Sequence, residues 1–149
     1  MKKGWKEARF GDACELKKGK NPVLIQSDKK GYKPYLSAKF IRGINSPEFA
    51  AINDPKSVLV ESHEIIIICD GSNSGETFIG FDGVLSSTMA KIIHGAEIDN
   101  KFLIFYLETL YEKFKAGKTG AAIPHLDLAA LKSEVLPIPP LPEQHRIVA

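Results

Sequence analysis

The sequence predicts a single α/β domain of α+β character, with a mixed, largely antiparallel twisted sheet, helices packed on it, and a last helix that begins near residue 142. Three observations carry this expectation. The middle of the chain is a series of short β-branched-rich runs separated by Gly, Asp, Ser or Asn, the pattern of strands bounded by turns. Between Asp99 and Gly117 the hydrophobic period switches to that of a helix, with one apolar face. Finally, 149 residues of 44% apolar and 26% charged composition fit one domain that buries roughly two-thirds of its unfolded surface.

The elements follow in order. `GDACELKKG` reads as a short helix, with Asp12 as cap, Glu15 three residues on, and Gly19 in the left-handed position after its end. A turn-rich basic stretch leads into `KPYLSAKFI`, read as a strand. `SVLVE`, `EIIIICD`, `TFIGF` and `TMAKIIH` are the central strands. In `DNKFLIFYLETLYEKFKAG`, Leu103, Tyr106, Leu107, Leu110 and Phe114 share a helical face; Asp99 caps the start and Gly117 closes the end. That aromatic stripe is read as core, the face a helix needs to pack on a sheet. A short helix from Asp127, a strand `EVLPIP` and a new helix at Pro142 complete the chain. Proline suits a first turn because its missing N–H would be unsatisfied there, and Glu143 favours the positive helix end. No internal repeat is present.

Cys14 and Cys69 lie far apart with no C-x-x-C spacing, the usage of free thiols in a reducing compartment. `MKKGWKEARF` has no apolar segment of a secretory signal, and no apolar run approaches the ~18 residues of a membrane span. A cytoplasmic protein with no membrane association is expected.

Charge is unevenly distributed. The total is only +2, yet Leu16 to Gly43 holds eight basic residues (Lys17, Lys18, Lys20, Lys29, Lys30, Lys33, Lys39, Arg42) against the single acid Asp28. From Ile44 to Asn100 there are nine acids and two basic residues. A basic segment followed by an acidic one suits a polyanion-binding face; a solvated lysine-rich loop is the other reading.

Catalytic and metal motifs are absent from the sequence. `NDPK` lacks the second proline and the aromatic that an amino-methyltransferase uses to hold an exocyclic amine. In `DGSNSG`, Asp70, Ser72, Ser74 and Gly75 occupy calcium-loop positions, but position twelve is Phe81, which has no carboxylate. There is no Gly-Lys-Ser/Thr to reach nucleotide phosphates. His63, His94, His125 and His145 show no metal-ligand spacing with each other or with the cysteines, and no Gly-x-Ser-x-Gly elbow accompanies them. His125, after Pro124, reads as a loop or packing residue rather than a catalyst. No cofactor is expected.

The C-terminal `LPIPPLPEQHRIVA` closely resembles the signature of the specificity subunit of type I restriction-modification systems, where a DNA target recognition domain meets a long connector helix. The opening `GWKEARFGDACELKKGK`, with Trp5, Gly11, Asp12 and Gly19, resembles that family's start, and `EIIIICDGSNSG` and `GVLSSTMAKI` resemble its central strands. The resemblance implies a non-catalytic recognition domain over residues 1–141, with residues 142–149 starting the connector. It implies sequence-specific binding of double-stranded DNA, and partners in the methyltransferase (modification) subunits and a restriction and motor subunit.

Within this frame the `DGSNSG` loop has two readings. It is a simple hairpin connection, or Gly71 and Gly75 allow close backbone approach while Ser72, Asn73 and Ser74 offer short polar groups to phosphates or base edges. The remaining DNA-contact candidates are Lys18, Lys20, Lys39, Arg42, Lys118, Thr119 and His125. Two rivals of other classes stand beside DNA binding: a peptide or scaffold module whose exposed `PIPPLP` is a polyproline ligand, and an enzyme.

Overall fold

The computed structural model describes residues 4–116 and 125–149. In chain order the elements are β1 (Lys6–Arg9), α1 (Phe10–Ala13), β2 (Cys14–Lys18), β3 (Leu24–Ile25), β4 (Tyr32–Leu36), α2 (Ala38–Ile41), β5 (Phe49–Ala51), β6 (Leu59–Val60), β7 (Ile65–Ile68), β8 (Thr77–Phe78), β9 (Gly83–Leu85), β10 (Met89–His94), α3 (Asn100–Ala116), α4 (Leu128–Ser133), β11 (Val135–Ile138) and α5 (Leu141–Ile147). The α/β class is as expected, mixed and largely antiparallel. The strands divide among three sheets, ordered β1-β11, β2-β10-β7-β8 and β3-β5-β4-β9-β6. The pairing of β4 with β9 is parallel, Tyr35 opposite Val84.

β7 explains why four isoleucines run together. Alternate side chains of a strand point to opposite faces, and here both faces are covered. Ile65, Ile67 and Cys69 enter one core with Phe10, Phe102, Leu103, Leu107, Leu110, Leu126, Leu131 and Leu136. Ile66 and Ile68 enter a second core with Leu36, Val58, Val60, Leu85 and Met89. The four-stranded sheet is therefore a partition, with α1, α3 and α4 on one side and the five-stranded sheet with α2 on the other. A continuous apolar run is what such a strand requires.

The helix α3 packs as its periodicity predicts: Leu103, Leu107 and Leu110 are buried, and Tyr106 and Phe114 pack against them. Asp99 Oδ2 accepts from the Phe102 N–H at 3.1 Å, the expected cap. Gly117 lies outside the described residues. α4 lies where a short helix was expected, and Asp127 Oδ1 caps it by accepting from the Ala130 N–H at 3.0 Å.

Two elements differ from the sequence reading. The expected helix over `GDACELKKG` is a single turn, α1, and Cys14–Lys18 is a strand that pairs with β10 from Cys14↔His94 to Lys18↔Ala90. Sheet pairing and burial of Cys14 outweigh the local capping pattern. Gly19 serves a close approach instead of a helix end: a Cβ there would sit 2.1 Å from the Ser86 carbonyl oxygen. The expected strand over `KPYLSAKFI` ends at Leu36, and Ser37 Oγ accepts from the Phe40 N–H at 3.2 Å to start α2. β1 pairs with β11, Glu7 opposite Pro137, in a two-stranded sheet that tolerates a proline because each strand has an open edge.

Candidate functional site

The connection from β7 to β8 closes as a hairpin. Ile67 faces Thr77 and Ile66 faces Phe78; the Gly75 N–H donates to Ile68 O at 2.7 Å and the Ile68 N–H to Glu76 O at 2.9 Å. Inside it, Ser74 donates to Gly71 O and Glu76 to Asn73 O, both from the backbone N–H, at 3.1 Å each. Gly75 has φ 99° and lies against α3, where a Cβ would come within 3.0 Å of Tyr111 Cδ1; both observations favour glycine. Ser72 and Asn73 stand exposed at the tip. Ser74 is only 1% exposed, so of the three polar side chains expected to present themselves, this one is turned inward.

Each end of the loop carries a carboxylate that gathers basic groups from distant parts of the chain. At the β7 end, Asp70 Oδ2 accepts from Lys18 Nζ at 3.1 Å, and Asp70 Oδ1 lies 2.8 Å from His125 Nδ1. The hydrogen bond from His125 above all, with Lys18 beside it, holds the Asp70 carboxyl below the usual carboxylate range, against partial desolvation. The backbones join as well: Asp70 and His125 form an antiparallel bridge, and the Leu126 N–H donates to Cys69 O at 2.7 Å. At the β8 end, Arg42 Nη2 donates to Glu76 Oε2 at 2.7 Å, and its guanidinium lies 5.6 Å from the Phe78 ring centroid, within cation–π range.

Lys18, Arg42, His125, Ser72 and Asn73 are thus brought together around one loop. Lys20 follows Gly19, just beyond the end of β2, and Lys39 lies on α2, whose C-terminal end Arg42 caps; both lysines are exposed. Lys118 and Thr119 lie outside the described residues.

The charge segregation seen along the chain is partly cancelled in space. Lys18, Lys33 and Arg42 from the basic segment pair with Asp70, Asp82 and Glu76 from the acidic one. Among the described residues, Lys17, Lys20, Lys29, Lys30 and Lys39 join no ion pair. Sequence reasoning weighed Asp70 only as a calcium-loop position and passed over Glu76: their partners lie far away in the chain, and no local motif signals the contact.

The arrangement offers hydrogen bonds and charge. Burial pushes the Cys14 thiol up to about 12 and the Cys69 thiol up to about 11, so both are neutral buried thiols, unlike the exposed low-pKa thiolates of reactive sites. Both oxygens of Asp70 are engaged, and no group of three or more His, Cys, Asp or Glu among the described residues could hold a metal ion. No helix among the described residues is long and apolar enough to cross a membrane. `PIPPLP` is no free polyproline strip: Pro137 and Ile138 lie in β11, Pro139 O accepts from Gln144 Nε2 at 2.7 Å, and Leu141 and Pro142 belong to α5.

Residues 2–149 match the model of a family described as the type I restriction modification DNA specificity domain. The chain is 38% identical over 145 residues to the Type I restriction enzyme MjaVIII specificity subunit of Methanocaldococcus jannaschii, covering 96% of this chain and 34% of that protein. Among solved structures it resembles the HsdS subunit from Thermoanaerobacter tengcongensis, at TM-score 0.70 and 20% identity over 99% of this chain and 36% of that one. It also resembles the S subunit of a type I restriction-modification system from M. genitalium, at TM-score 0.67 and 21% identity over 97% of this chain and 37% of that one. The chain therefore spans about a third of the length of these relatives.

Proposed function

The chain belongs to the family of the type I restriction modification DNA specificity domain, and from that premise we infer that it binds double-stranded DNA sequence-specifically and performs no chemistry of its own. Residues 1–141 form the target recognition domain, and residues 142–149 start the helix through which methyltransferase subunits, and with them a restriction and motor subunit, are engaged. One observation within the chain supports this reading most. The exposed Ser72 and Asn73 sit on a hairpin whose two ends are held by Lys18, His125 and Arg42, so short polar groups able to meet base edges are fixed on a rigid strand pair.

The roles divide by charge. Asp70 and Glu76 offset Lys18 and Arg42, which leaves the loop nearly neutral and suited to reading bases. Long-range attraction to phosphates then falls to the unpaired lysines, Lys20 and Lys39 first among the candidates. Selection from a random duplex pool tests the function: recovery of one consensus, bound more tightly than scrambled duplex at equal salt, is the expected result. A pool that returns no consensus, or a protein that ignores duplex DNA at low salt, defeats the reading. The polyproline alternative loses its basis, since the prolines are committed to β11, α5 and the link between them.

A further inference from the structure

We propose that Asp70 is a positioning residue for base recognition: it fixes the His125 imidazole with Nδ1–H directed at its own carboxylate, so that Nε2 is the ring atom offered to DNA. This deepens, and rests on, the DNA-binding reading above.

The geometry is restrictive. An ionised carboxylate has only acceptor sites, so at 2.8 Å from Asp70 Oδ1 the His125 Nδ1 must carry the proton. The bond that one ring nitrogen makes decides the tautomer of the other. Nε2 then has a lone pair when the ring is neutral and a proton when it is charged. Among the described residues Nε2 has no partner, and the His125 side chain is 65% exposed. A neutral Nε2 can accept from an exocyclic amine such as adenine N6–H₂ or cytosine N4–H₂; a protonated one can donate to guanine or to a phosphate.

Asp70 is held in turn. Lys18 occupies its second oxygen at 3.1 Å, the Asp70–His125 backbone bridge sets the separation, and Leu126 is bonded back to Cys69. The charged groups that meet here are Asp70 of the β7 end, Lys18 of β2 and His125 itself; Asp70 is the one bonded to the ring Nδ1. A side chain so tethered loses little freedom on binding, which is what a readout group requires.

The test has two independent arms. In the free 149-residue chain, ¹⁵N shifts of the neutral His125 ring should report the Nδ1–H tautomer. Asp70→Ala should release the ring to the Nε2–H form, and Asp70→Asn, which can still accept from Nδ1–H, should retain the original tautomer. In the second arm, a labelled duplex taken from the random-pool selection is competed against scrambled duplex. His125→Ala and Asp70→Ala should each reduce the preference by about tenfold, the size of a single good base contact, and the double variant should lose no more than either alone. An Nε2–H tautomer in the unsubstituted chain, or fully additive losses in the double variant, overturns the proposal while leaving DNA binding intact. Failure of the unsubstituted chain to bind any duplex instead overturns the DNA reading beneath it, whatever the tautomer. Melting curves accompany each variant, and Asp70→Asn supplies the comparison should Asp70→Ala lose its fold.

Discussion

Asn73 carries an amide that donates and accepts at once, exposed at the tip of a hairpin closed by backbone bonds. Replacing it with Ala is expected to cost about 1–3 kcal/mol on the selected duplex and to relax choice at one or two positions, since a bidentate contact carries that much discrimination. Lys20→Ala should weaken all sequences alike, the mark of a phosphate contact. One competition experiment separates the two signatures; an Asn73→Ala variant that keeps both affinity and preference would move the reading surface off this loop. The sequence made the loop visible as a cluster of short polar residues after a buried strand, yet it could not distinguish Ser74 from Ser72. Their opposite exposures follow from the hairpin's closure. Nor could it reveal Asp70 as a hub, because its two partners stand 52 and 55 residues away and are delivered by sheet pairing rather than by a motif.

Helix α5 joins the body of the domain through a side chain whose importance only tertiary structure displays. Gln144 is fully buried: its Oε1 accepts from the Asp99 N–H at 2.8 Å, and its Nε2 donates to Glu97 O at 2.8 Å and Pro139 O at 2.7 Å. It therefore ties α5 to the segment that starts α3. Gln144→Leu keeps the approximate volume but strands one N–H and two carbonyls, each worth about 1–3 kcal/mol when buried without a partner. A loss of about 3 kcal/mol or more is expected in urea unfolding; Gln144→Glu should also destabilise, since a carboxylate cannot donate to the two carbonyls. A loss within about 0.5 kcal/mol, the range of ordinary surface substitutions, would show that the surroundings relax around the site. At this scale the sequence was most legible where the signal is local, as in the Asp99 cap, the short helix at Asp127 and the apolar face of α3. It misled at `GDACELKKG`, where a strand's need to pair outweighed a capping pattern, and passed over β1, β3 and β5, which are short and defined mainly by their partners; β9 was reached only through the resemblance of `GVLSSTMAKI`.

Across the whole molecule, the two cores on either side of the β7–β10 partition bring the basic first third of the chain against the acidic middle, and this changes what the charge map means. Lys18 and Arg42 spend their charge on Asp70 and Glu76, whereas Lys20 and Lys39 are exposed and join no ion pair among the described residues. Counterion release counts only cations that neutralise phosphate, each adding about 0.9 to the magnitude of the log–log salt slope. Replacing Lys20 and Lys39 together by Ala is therefore expected to flatten the slope by about 2. Replacing Lys18 and Arg42 should leave the slope nearly unchanged and lower affinity at every salt concentration, because two carboxylates at the reading loop would then face the duplex uncompensated. Titrations of both double variants between 50 and 200 mM salt, a range over which such slopes are well expressed, distinguish the outcomes. Equal flattening by the two pairs would mean that DNA draws Lys18 and Arg42 away from their carboxylates on binding, and that the ion pairs of the free domain hold these cations in reserve for phosphate.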